Sequence, residues 1–96
     1  MGTRPVIVVS HDAFNTAPAW LSITVVPLST SERQAARGPT AVPLAAGLAG
    51  LPRSGVALCH QVTTLDRRKL GQKLGALSPL DLARVDAGLK AALDLR

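Results

Sequence analysis

Apolar positions along the chain fall into short runs separated by small and polar residues. Pro5–Ser10 is a short apolar run, β-branched from Val6 to Val9, and reads as a buried strand. Leu21–Leu28 begins by alternation, with Leu21, Ile23 and Val25 on one face and Ser22, Thr24 and Val26 on the other, which predicts a second strand. Pro27 cannot donate to a ladder, so it marks an edge, a bulge or the strand exit. Thr40–Leu44 reads as a weaker third strand, Gly55–Val62 as a fourth and Gln72–Leu77 as a short last one. His11–Trp20, Ser29–Pro39 and Ala45–Ser54 carry the small, polar, glycine and proline residues of loops. Thr63–Leu70 reads as one helical turn with Thr64 as its N-cap.

The period changes after Leu77. Ser78 suits an N-cap, Pro79 the first helical position and Asp81 the positive helix end. Leu82, Val85, Leu89 and Leu93 then share one helical face, so a helix over 79–94 is expected to pack on the sheet. Gly88 inside it is unfavourable by about 1 kcal/mol relative to Ala. Short proline-interrupted strands followed by one amphipathic helix predict a mainly β fold with a C-terminal helix (α+β), a small curled sheet or partly open barrel. Ninety-six residues without internal repeats make one domain, 1–96.

Composition narrows the function. The chain is 47% hydrophobic, which excludes disorder, but only 2% aromatic, which excludes a binder that stacks several bases on aromatic platforms. No apolar run is long enough to span a membrane, no secretory leader is legible, and the one cysteine, Cys59, has no internal partner. A reducing cytoplasm is the expected location. The formal net charge of +5 favours a polyanionic partner. The catalytic inventory is thin: His11, His60, Glu32 and five Asp, with Cys59 and His60 adjacent and so facing opposite ways on a strand. No metal site, cofactor, glycine-rich phosphate loop or nucleophile elbow is expected.

Four stretches in order carry a resemblance. Arg4–Ser10 (RPVIVVS) is similar to an RPVLVVS strand, and Val25–Thr30 (VVPLST) to a VVPLTT segment. Leu51–Val62 (LPRSGVALCHQV) is similar to LPRDSVALCDQV, and Thr64–Leu70 with Gly75–Ser78 to a TIDRxRL…GxLS ending. The chain thus resembles the MazF/PemK (Kid) toxins of type II toxin–antitoxin systems. Members of that family usually begin with a further GDIW-like strand and a loop; here Arg4 follows the initiator closely, so the chain reads as N-terminally short.

The resemblance implies an SH3-like or CcdB-like (PemK-like) barrel, a homodimer, and metal-free cleavage of single-stranded mRNA. In that reaction the ribose 2′-OH attacks and a 2′,3′-cyclic phosphate remains. It implies Arg4 as the group that stabilises the transferring phosphate, Ser29 as the hydroxyl that holds phosphate or 2′-OH in line, and Thr30 as its neighbour and substitute. Gln61 is implied as an RNA contact, and a cognate acidic antitoxin as the partner. His11 and the cluster Arg67, Arg68 and Lys69 are further RNA or antitoxin candidates by charge. Without the resemblance, Arg4 is a solvated strand end, Ser29 and Thr30 are turn residues, the basic cluster is a solvated face, and Trp20 packs against the core. The alternative function is a weak or inactive truncated paralogue, or a CcdB-like toxin that acts by binding protein.

Overall fold

The computed structural model describes residues 4–95; Met1–Thr3, the start of the chain, lies outside the described residues. The first apolar run forms β1 (Val6–Val8) and the alternating run forms β2 (Ser22–Ser29). β3 (Ala41–Leu44) and β4 (Gly55–Leu58) follow, then β5 (Thr63–Asp66), and the chain closes with α2 (Pro79–Leu93). One turn of helix, α1 (Asp12–Asn15), interrupts the loop between β1 and β2. All pairings are antiparallel: β1 on one edge of β2, β4 and β5 in succession on the other, and β3 outside β4. Among the described residues nothing pairs β1 to β3, so the sheet is open and curled, not a closed barrel.

The expected fourth strand is in fact broken. Leu28 faces Ala57 and Val25 faces Thr63, so three steps along β2 correspond to six along its neighbour. The three surplus residues form a 3₁₀ turn, Cys59–Gln61, between β4 and β5. Pro27 sits on β2 between the two paired stretches, opposite the interruption, where no partner on that edge requires its missing N–H. The expected helical turn after Thr63 is thereby displaced: 63–66 is strand, and the turn is the 3₁₀ segment Arg67–Lys69, capped by Asp66 and not by Thr64. The expected last strand is absent; residues 71–77 run irregularly to α2.

β2 changes its buried face midway. Ile23 and Val25 are buried on one side and Val26 and Leu28 on the other, where they join Ile7, Val42, Leu44, Leu51, Ala57, Cys59 and Val85 in the main core. Helix α2 starts as read, with the Ser78 hydroxyl accepting the Asp81 N–H. Its buried face is narrower than the leucine stripe. Val85 is 0% exposed and Gly88 is buried, whereas Leu82 and Leu93 are 40% and 52% exposed. Trp20 also departs from expectation: it is 46% exposed and stacks on Phe14, ring centroids 4.7 Å apart, outside the core.

The helix ends on a strained residue. Asp94 adopts φ 55°, ψ 40°, and its N–H bonds the Lys90 carbonyl. Glycine is the residue suited to that left-handed position, and a carboxylate there also opposes the negative helix end. The two gains outweigh the extra chain entropy of glycine. Asp94→Gly is therefore expected to stabilise the protein by about 0.5 kcal/mol, a melting rise of a few degrees in a thermal scan.

Candidate functional site

Strand register brings distant residues together. One step beyond the Val6–Pro27 pair, the Leu28 N–H donates to the Pro5 carbonyl at 3.2 Å, which brings Arg4 level with Ser29. On the other edge of β2, Ser29 faces Val56, so Gly55, Ser54 and Arg53 approach from that side. The three strand ends enclose a cavity of about 490 Å³. Arg4, Pro5, Leu28, Ser29, Thr30 and Ser31 form one wall, and Leu51–Gly55 the other.

The lining is electropositive and hydroxyl-rich: Arg4, Arg53, Ser29, Thr30, Ser31 and Ser54, with no carboxylate among the described residues. Among the described residues the ion pairs are Arg68–Asp66 and Arg84–Asp81, and neither cavity arginine belongs to one. The partly buried Ser29 hydroxyl oxygen accepts the Ser31 N–H at 3.1 Å. That leaves its own proton free to donate into the cavity. Two guanidinium forks and a donating hydroxyl match the non-bridging oxygens of a phosphodiester. A second cavity of about 410 Å³ shares Thr30, Ser31, Ser54 and Gly55 and continues to Pro43, Leu48 and Arg84. The groove is thus longer than one phosphate. Arg84 at its far end donates to the Pro43 carbonyl at 2.6 Å and lies 3.5 Å from Asp81.

The structure gathers Arg4, Ser29 and Thr30 at one place. The other candidates, His11, Gln61, Arg67, Arg68 and Lys69, line neither cavity. Arg67 is committed to the backbone: its guanidinium donates to the carbonyls of Trp20 (2.9 Å), Phe14 (2.9 Å) and Asn15 (2.7 Å), closing the β1–β2 loop. Arg68 forks onto Asp66 at 3.0 and 2.7 Å. Its side-chain and backbone hydrogen bonds hold the Asp66 carboxyl down at about 2. Lys69 is the exposed remainder of the basic cluster. His11 caps α1, its Nδ1 accepting the Ala13 N–H at 2.9 Å, and lies edge-on to Phe14. Gln61 is exposed in the turn after β4, its Nε2 3.5 Å from His60 Nε2. Burial pushes the Cys59 thiol up, which keeps it protonated, and its Sγ lies 3.7 Å from the Val85 carbonyl as a packing group.

Arg53 is the residue that pattern reading overlooked. It stands in the Leu51–Val62 stretch that carries part of the family resemblance, between Pro52 and Ser54, with nothing local to distinguish it from a solvated loop arginine. Only the pairing of β2 with β4 places it across the cavity from Arg4.

Comparison with known proteins gives a consistent result. The family described as PemK-like, MazF-like toxins of type II toxin–antitoxin systems matches residues 1–93. The endoribonuclease EndoA of Bacillus subtilis (strain 168) is 32% identical over 94 residues, which is 98% of this chain and 78% of that protein. Among solved structures, the Mycobacterium tuberculosis toxin MazF-mt6 superposes with a TM-score of 0.79 at 26% identity, covering 97% of this chain and 88% of that one. An endoribonuclease in complex with its cognate antitoxin, from a mycobacterial species, gives a TM-score of 0.80 at 28% identity, covering 99% and 84%.

Proposed function

Because the chain belongs to the family of PemK-like, MazF-like toxins of type II toxin–antitoxin systems, we propose that it is an endoribonuclease whose reaction centre is the Arg4–Ser29–Arg53 cavity. The observation that carries this reading is that Arg4, Arg53 and the Ser29 hydroxyl line one cavity, with neither arginine in an ion pair and no carboxylate in the lining among the described residues. Such a set binds a phosphodiester and stabilises the negative charge that builds on it. Among the described residues the lining offers no group suited to activating water. The substrate's own 2′-OH then serves as nucleophile: the O2′–P bond forms as O2′ gives up its proton to solvent, the P–O5′ bond breaks as O5′ takes one up, and a 2′,3′-cyclic phosphate and a 5′-OH remain. Arg4 and Arg53 hold the non-bridging oxygens. Ser29 donates to one of them, with Thr30 beside it at the rim. The second cavity accepts a flanking stretch of the same strand.

A single strand is required because in-line attack places the 2′-OH opposite the leaving oxygen, a geometry that duplex stacking opposes. The reading includes a homodimer and a cognate acidic antitoxin that covers the basic groove. The mycobacterial neighbour in complex with its antitoxin supports the latter. Lys69 and the arginines at the rim of the groove are among the exposed cations available to an acidic tail.

The test is a labelled single-stranded RNA incubated with the protein in EDTA, beside a duplex of the same sequence and a copy with one deoxyribose at the cleavage site. The expected result is cleavage of the single strand alone, with cyclic phosphate and 5′-OH ends. Cutting of the deoxy copy at the same position would refute the 2′-OH reaction.

A further inference from the structure

The cavity wall that carries Arg53 rests on a contact between two stretches of bare backbone. Ala49–Gly50 lies against Leu74–Gly75 with no room for side chains between them. A Cβ on Gly75 would overlap the Ala49 carbonyl oxygen and come within 2.7 Å of its carbonyl carbon. A Cβ on Gly50 would likewise overlap the Leu74 carbonyl oxygen. The loop on the cavity side is strained at the same point. Ala49 has φ 52°, a left-handed conformation that costs a residue with a side chain about 1–2 kcal/mol. Strain of this kind persists where the surroundings over-determine the backbone.

The remaining ties of the loop lead toward the site. The Gly47 N–H bonds the Leu51 carbonyl at 2.7 Å and the Leu51 N–H bonds Leu48 at 3.0 Å. Leu51 is buried in the main core, and Pro52 follows with its φ fixed by the ring. These ties close the turn that holds Ala49 onto Leu51, two residues before Arg53 on the cavity wall. We propose that Gly75, in the irregular segment joining β5 to α2, is a positioning residue: its seam with Ala49–Gly50 sets where the Arg53 guanidinium stands in the cavity. This rests on the reading of that cavity as the RNA phosphate site.

Gly71 provides the control. It lies in the same segment, without a positive φ, and a Cβ built on it meets nothing within 4 Å. Gly75→Ala is expected to lower single-turnover cleavage at saturating RNA by about 10- to 100-fold, the scale of a misplaced binding group. Gly71→Ala is expected to leave it unchanged. The deciding comparison is in an Arg53→Ala background, where Gly75→Ala adds less than about 2-fold because the group it positions is gone. An equal loss with and without Arg53, or no loss in either, overturns the proposal. Should the Gly75 variant melt below the assay temperature, the same comparison is made in trimethylamine N-oxide, which restores burial. If the parent chain cuts no RNA, the reading of the cavity fails, and the seam is then judged by NMR. The Arg53 Nε resonance and the amides of 51–55 move in Gly75→Ala and not in Gly71→Ala if it holds; unmoved resonances overturn it.

Discussion

Replacing Arg4 by Ala is expected to lower RNA cleavage by about 100- to 1000-fold, the typical loss when one preorganised donor to a developing anion is removed, and to leave the melting temperature unchanged. The side chain is exposed, joins no ion pair among the described residues, and belongs to neither buried cluster, so stability does not depend on it. Its value lies in placement. The Leu28 N–H to Pro5 carbonyl bond fixes the backbone one residue away, so Arg4 is held at the cavity that Ser29 also lines before substrate arrives. Arg4→Lys keeps the charge but loses the two-pronged geometry and is expected to fall between the two. Ser29→Ala should lose less than Arg4→Ala, because the hydroxyls of Thr30, Ser31 and Ser54 share the cavity. Single-turnover cleavage of a labelled RNA measures all of these. Full activity in Arg4→Ala would remove Arg4 from the site while leaving the family assignment untouched.

What was legible in the sequence was whatever a local period encodes. Alternation in Leu21–Val26 and the β-branched run after Pro5 sufficed for β1 and β2, and the Ser78–Pro79 start with a four-residue apolar rhythm sufficed for α2. The break between β4 and β5 was not legible, because Leu58, Cys59 and Val62 are apolar on either side of it and nothing local signals three surplus residues. Trp20 was expected inside on hydrophobicity alone. Its position is instead set by Arg67, which is separated from it by 47 residues in sequence and grips its carbonyl. The same bond explains the basic cluster. Three adjacent cations look like one patch, yet one is spent on carbonyls and one on Asp66. Arg4 and Ser29 were accessible through resemblance, but their juxtaposition, and the whole role of Arg53, depend on register across three strands.

Gly88→Ala tests whether helix propensity or packing governs α2, and the two predict opposite signs. In an exposed helix the change is stabilising by about 1 kcal/mol. Here Gly88 is buried against the sheet. A Cβ on it would stand 2.7 Å from Cys59 Sγ and 2.9 Å from Val42 Cγ2. Both neighbours belong to the main core, and Cys59 is 0% exposed, so neither can move into open space. Overpacking of this kind costs about 1–3 kcal/mol and forces the helix away from the sheet. The expected net result is destabilisation of about 1–2 kcal/mol, a fall of roughly 5–15 °C in melting temperature for a chain of this size. The Cys59 sulfur supplies the shortest of these distances, so its removal should relieve the clash. Cys59→Ala alone leaves a small cavity and also destabilises, but the double variant should be more stable than the sum of the two losses predicts, with a coupling of about 1 kcal/mol or more. Thermal or urea unfolding of the four proteins closes the cycle. Additive losses, or a Gly88→Ala protein more stable than its parent, would mean that α2 does not rest on Cys59 and Val42 through this glycine.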